Sequence, residues 1–395
     1  MKNMRLPSVP LVTCDPYFSL WSPADRLYEA DTCHWTGKKK RITGKIEIDG
    51  KLFRFMGTGK EEPLLQTDLL INPTSSVYIM EGAGIRLKIT FLTPLILTDI
   101  ELVSRPASYI DWEITALDLR QHHIRLFWEF GEEICHNTEE QEAMIGGIHR
   151  TQDFCTAWMG KESQALLGHT GDDISIDWGY FYLAASKESP VQMNWKSSCA
   201  KGEKSSLRAN YDFILCENRY SDSLVLAYDD IVSVMYFGDM LKGYWARNGW
   251  TIMDVLLRAI KDHRILVEQC KLFDLRIMKK AEETISAEYA ILCAAAYRQT
   301  VAAHKLVADL DGNVLFFSKE CDSNGCIGTV DVSYPSIPLF LMFETEYVKG
   351  MMRPALKFSR MPVWECEFAP HDVGRYPHAN GQVYGCLLYT SPSPR

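Results

Sequence analysis

Apolar and polar positions along this chain follow one period before about residue 250 and another after it. In the earlier part, short runs rich in β-branched and aromatic residues fall at 76–80, 85–92, 109–115, 124–130, 178–184, 211–216 and 231–236. Turn signals such as Glu81-Gly82-Ala83-Gly84 and Gly171-Asp172-Asp173 separate them. Repeated strands with no long helix between them predict an antiparallel sandwich, not a parallel doubly wound sheet. Upstream, Asp49-Gly50 between two alternating runs at 41–48 and 52–56 predicts a β-hairpin. The segment 1–65 is too small to bury a core alone and is expected to dock on the strand-rich region after it.

After Trp250 the period lengthens. Ile252, Val255, Leu256, Ala259 and Ile260 fall on one helical face. From Glu283 the pattern returns at Ile285, Tyr289, Leu292, Cys293 and Ala296, with no Pro or Gly before Gly312. A linker helix over 249–282 and a second helix from 283, holding both Arg298 and His304, are predicted. A third helix follows Pro335, and a fourth, interrupted at Pro354, starts near Glu346. The expected order is a leading region (1–65), a β-sandwich (66–248), the linker helix (249–282) and the start of an α/α domain (283–385). The last ten residues, 386–395, break this rhythm. They resemble a translated adaptor and are set aside.

Charge narrows the function classes. A net charge of −9 argues against a nucleic-acid partner, which needs a concentrated basic surface. The basic run from Lys38 to Arg41 reads as an exposed hairpin turn. No stretch is apolar for long enough to span a bilayer, and residues 1–10 lack the apolar core of a signal peptide. No membrane partner and a cytoplasmic location are therefore expected. The 12 cysteines are scattered and none has CxxC spacing, which suits isolated thiols in a reducing compartment. Neither a metal nor an organic cofactor is expected.

Longer strings carry a resemblance. Val9 to Ser22 reads VPLVTCDPYFSLWS, followed by His34-Trp35-Thr36-Gly37; Asp177-Trp178-Gly179-Tyr180 lies in the strand region. The helical part holds Phe316-Phe317-Ser318-Lys319-Glu320, the run from Ser323 to Pro335, and Ala369-Pro370-His371-Asp372-Val373-Gly374. Together these resemble the fungal glutaminase A family from about Arg5 to Gly385. The resemblance implies a small leading region, a central antiparallel β-sandwich, and an (α/α)6 toroid of the six-hairpin glycosidase type. It also implies hydrolysis of glutamine to glutamate and ammonia. On this pattern the toroid is truncated after its first helices, and this stretch by itself is expected to be inactive.

Amide hydrolysis needs an activated water or nucleophile, a proton donor to the leaving ammonia, and donors for the oxyanion. Two loops at one end of the expected helix ring hold suitable groups. The first, 320–335, carries Asn324, Asp331 and Tyr334, with Asp331 a general base, a clamp for a substrate amino group, or a helix-capping residue. The second, 368–380, carries His371, Asp372 and Arg375. There a proton shuttle stands beside a carboxylate, and Arg375 suits a substrate carboxylate. Adjacent side chains of an extended loop point to opposite faces, so His371 and Asp372 need not both reach one substrate. Asp331, Asp372 and His371 are the catalytic candidates, and Asn324, Tyr334 and Arg375 the substrate-binding ones.

Other readings stay open. Asp331 and Asp372 also suit the carboxylate pair of a glycoside hydrolase, so the small-molecule substrate is glutamine or a sugar. A third reading is a non-catalytic binding or docking module. Asp15, Trp21, His34 and Trp35 imitate a sugar platform, but an aromatic docking contact is the simpler role. Lys305 and Lys319 can lower a nucleophile's pKa, although isolated lysines usually stay solvated. Cys326 is a conceivable nucleophile, and an inert buried thiol is the commoner case. No Gly-x-Ser-x-Gly elbow, phosphate loop or HExxH helix is present.

Overall fold

The computed structural model describes residues 6–118, 120–138, 140, 142–198, 203–216 and 218–384. The tail at 386–395 therefore lies outside the described residues. Two antiparallel sheets face each other. In the larger, eight strands run in the order Met144–Arg150, Phe154–Lys161, Tyr180–Ser186, Arg219–Asp229, Ala107–Ala116, Ile85–Leu92, Ser75–Gly82, Leu65–Ile71. In the smaller, six run in the order Gln192–Lys196, Ser206–Leu215, His122–Gly131, Ile42–Ile48, Lys51–Met56, Glu62–Pro63, the last pairing parallel to its neighbour.

Strict alternation explains the layering. Ile42–Ile48 buries every second residue, and so does most of Ile85–Leu92, because successive side chains leave a strand on opposite faces. Ile46, Ile124, Leu126 and Trp128 from one sheet share a core with Leu87, Ile89, Ile114 and Leu183 from the other. The hairpin expected at Asp49-Gly50 forms, with Asp49 and Gly50 both at positive φ, and its first strand pairs with His122–Gly131.

Behind the larger sheet lies the helix Ile252–Thr284, 33 residues and about 50 Å long. Thr251 and Asp254 close a capping box at its start. Its apolar stripe of Ile252, Val255, Leu256 and Ala259 packs on Leu92, Tyr109, Val225 and Ala227 of the sheet's outer face. The Tyr109 hydroxyl donates to the Ala259 carbonyl at 2.9 Å. Helices Ala287–Ala302, Val330–Leu341 and Thr345–Phe358 come next. Phe273, Tyr297, Phe316, Phe340 and Tyr347 gather into a separate aromatic core. Among the described residues, no helix is long and apolar enough to cross a membrane.

Four local expectations are corrected. The second helix stops at Ala302, so His304 lies in a hairpin, His304–Ala308 with Val314–Ser318, and not on a helix with Arg298. A run of β-branched and aromatic residues overrides the helical period there. Pro335 does not precede its helix but sits inside Val330–Leu341, and Pro354 is accommodated within Thr345–Phe358. The Lys38–Arg41 run is no exposed turn. Lys40 is buried with its ammonium on the His136 carbonyl at 2.6 Å, and Lys38 binds the Asn137 side chain at 2.7 Å. Burial lowers Lys40 to about 7.

Candidate functional site

Two loops run side by side, one leading into helix Val330–Leu341 and the other following helix Thr345–Phe358. Ile327 donates its backbone N–H to the Gly374 carbonyl, Val373 returns one to Ile327, and Val330 donates to His371, all at 2.8–3.0 Å. This ladder needs glycine. A Cβ on Gly374, at φ +144°, would lie 1.9 Å from the His378 carbonyl oxygen, and one on Gly325, at φ +63°, would lie 2.2 Å from the Gly171 carbonyl carbon.

The ladder brings the three catalytic candidates together. His371 Nδ1 lies 3.0 Å from Asp372 Oδ2, and its Nε2 lies 3.6 Å from Asp331 Oδ2. The neighbours His371 and Asp372 are thus in direct contact with each other. The two carboxylates differ in surroundings. Asp372 has no exposed surface, and its oxygens accept backbone N–H groups from Gly374 and Val383 at 3.0 Å and from Tyr384 at 3.3 Å. Asp331, in the first turn of Val330–Leu341, is 69% exposed at its side chain. Thr329 occupies the cap position ahead of it, so Asp331 is not the capping residue. The Tyr384 ring packs on the imidazole at 4.9 Å, and Gln382 accepts the His371 backbone N–H at 2.7 Å.

The remaining candidates have other surroundings. Tyr334 is 76% exposed one turn along the same helix. Arg375 is exposed, its backbone bridged to Cys326 and His378. Asn324 is half-buried and donates to Ser323 at 3.3 Å. Cys326 is fully buried, and burial pushes its thiol up to about 12, which leaves it inert. Among the described residues no group of three or more His, Cys, Asp or Glu is arranged to hold a metal ion.

The lysines reverse expectation. Lys305 is buried between Asp15 and Asp230, 2.7 Å from each, and this pair of carboxylates holds its ammonium charged, above the usual lysine range, against the opposing effect of burial. Lys319 is also buried, and desolvation lowers its pKa. Neither residue shows a sequence signal of its own, because the Lys305 carboxylates and the Lys319 acceptors Gly171 and Asp172 lie far away in the chain. His304 is likewise buried and lowered to about 4 by desolvation, with Nδ1 on the Thr300 carbonyl at 2.6 Å.

A β-sandwich followed by a long helix and further helices is the element order of the six-hairpin class. A family model described as the glutaminase A six helical-hairpin domain matches residues 286–388. Two models of domains of unknown function, DUF5127 and DUF4964, match 74–212 and 1–67. The helical part of the chain thus carries the glutaminase A six helical-hairpin domain. Glutaminase A of Aspergillus oryzae is 25% identical over 418 residues, a match covering 96% of this chain and 60% of that protein. A protein of Arthroderma benhamiae named "Probable glutaminase/05536" is 20% identical, over 96% of this chain and 50% of its own length. The chain thus spans 50–60% of the length of these relatives. A solved structure described as "Putative kojibiose phosphorylase from human microbiome" superposes with a TM-score of 0.50 at 11% identity, covering 94% of this chain and 49% of that one.

Proposed function

We propose that this chain is part of a glutaminase-like hydrolase in which His371 moves the proton during amide cleavage. The supporting observation is the unequal pair of carboxylates around one imidazole. Asp372 has both oxygens committed to backbone donors and to His371 Nδ1, so it fixes the ring and its tautomer. With Nδ1–H held there, the neutral ring keeps its lone pair on Nε2, which faces the solvent-exposed Asp331. Nε2 takes a proton from water as the oxygen attacks the amide carbon. It returns that proton to the nitrogen as the C–N bond breaks and ammonia leaves. Asp331 pairs with the imidazolium in between, or holds the substrate's α-ammonium. Arg375 suits its α-carboxylate, and Asn324 and Tyr334 are the further substrate-binding candidates. The name of the Aspergillus oryzae relative supports glutamine as the substrate.

A glycosidic bond is the second reading, favoured by the likeness to a structure described as a kojibiose phosphorylase. It needs two carboxylates able to reach substrate. Asp372 is sealed behind His371 and the backbone, which weighs against it as acid or nucleophile. The test uses protein expressed from the complete gene, incubated with L-glutamine and with a panel of nitrophenyl glycosides. Ammonia release that falls in Asp331→Asn and His371→Ala supports the amidase. Nitrophenol without ammonia overturns it in favour of the second reading, and neither product overturns both.

A further inference from the structure

A cavity of about 460 Å³ lies where the ribbon Val9–Thr13 with Ser19–Ser22, and the turn after it, meet the end of helix Ala287–Ala302. Trp21, His34, Trp35, Gln299 and Lys319 are among its lining residues. Its size suits a small ligand. The sequence pattern assigns these aromatics to docking, and Trp21, 6% exposed, fits that role. Trp35 does not, because its ring is only half-buried.

Trp35 is held in place from several sides. Its Nε1 donates to the Pro16 carbonyl at 2.9 Å, and the His34 ring lies 5.1 Å away. The Lys319 ammonium sits 4.7 Å from the indole centroid. That ammonium is itself anchored on the carbonyl oxygens of Gly171, Asp172 and Glu320 at 3.2, 2.8 and 3.3 Å. The ring is ordered before any ligand arrives, so binding bears little of the usual side-chain ordering cost.

The lining also selects charge. Among the described residues no carboxylate lines the cavity, and the cation over the indole opposes a second one. An anion fares no better, because Lys319 is 1% exposed and its three hydrogens already have acceptors. Several other polar side chains of the lining are engaged internally, Ser8 on the Ser22 carbonyl and Cys321 on the Lys319 carbonyl among them. Trp21 Nε1 donates to Ser19 at 2.7 Å, and His34 is held by the Pro16 carbonyl at 2.7 Å and Thr36 at 3.0 Å. What remains is an indole surface and the exposed amide of Gln299. We infer that this cavity is a carbohydrate subsite, in which the apolar face of a neutral pyranose stacks on Trp35 and a hydroxyl hydrogen-bonds to Gln299. The subsite shares no lining residue with the His371 trio, so it stands or falls apart from the bond that His371 serves.

Tryptophan fluorescence and calorimetric titration of this chain test it. The probes are methyl α-D-glucopyranoside, maltose and N-acetyl-D-glucosamine, with choline chloride and sodium benzoate as cationic and anionic controls. Saturable binding of at least one sugar is expected, weakened about ten-fold in Trp35→Ala and a few-fold in Gln299→Ala. Binding in His371→Gln stays as in the parent protein. Trp35→Phe keeps a ring and separates stacking from folding: it retains affinity within about three-fold of the parent. Failure of all three sugars, unchanged binding in Trp35→Ala, loss in Trp35→Phe equal to that in Trp35→Ala, or tighter binding of either control overturns the subsite.

Discussion

The imidazole of His371 meets the carboxylate of Asp372 at 3.0 Å, although the two are neighbours in the chain and Asp372 has no exposed surface. Asp372 accordingly has two tasks. It orients the ring, and it accepts three backbone N–H groups, that of Gly374 among buried residues and those of Val383 and Tyr384 partly buried. Asp372→Ala orphans those donors, at about 1–3 kcal/mol for each that stays buried. A loss of about 3 kcal/mol or more is expected in urea unfolding of the described chain. A loss under about 1 kcal/mol would mean that water replaces the carboxylate at little cost.

Lys305 ties three distant segments together through Asp15 and Asp230. Lys305→Met leaves two carboxylates buried and unpaired and should cost about 3–5 kcal/mol. Replacing both aspartates with Asn in the same background removes the stranded charges and should restore most of that stability. Equal instability in the single and triple variants would show that the lysine matters through packing rather than charge.

Asp274 gives a pH dependence. Burial raises its carboxyl to about 6, from 3.8, despite hydrogen bonds from the Thr74 backbone and hydroxyl at 2.9 and 2.8 Å. The folded state therefore holds this proton more tightly than the unfolded state. Its contribution is complete below the unfolded value and is lost as pH rises from about 4 through about 6. Two units correspond to about 3 kcal/mol at most. Asp274→Asn does not titrate, so its stability should gain on the parent protein between pH 4 and pH 7. A pH-independent difference between the two would contradict the raised value.

Gly374 carries the geometry of the loop ladder. At φ +144°, and with the His378 carbonyl 1.9 Å from any added Cβ, even alanine must displace the turn that presents His371 and Asp372. Gly374→Ala should destabilise by about 2 kcal/mol or more, read as a lowered melting temperature. A melting temperature equal to that of the parent would show that the turn has another conformation open to it.

Legibility in the sequence depends on the range of each interaction. The Asp49-Gly50 hairpin and the stripe from Ile252 to Ile260 are local patterns, so they are readable. The strand at His304–Ala308 is hidden because apolar residues continue the helical run without a breaker. Adjacent His371 and Asp372 invite a chemical reading, and the loop strings name the segments that meet. The meeting of the two loops depends on backbone pairing of Ile327 with Val373 and Gly374, which residue spacing does not encode. Lys305 is illegible, since its partners lie 290 and 75 positions away in the sequence.

The catalytic account depends most directly on His371. The deciding measurement is kcat for ammonia release from L-glutamine by His371→Gln, in protein from the complete gene whose melting temperature matches the parent. Loss of proton transfer predicts a fall of about 10²–10⁴-fold. A kcat within about three-fold of the parent would show that the proton moves through another group and would end this assignment.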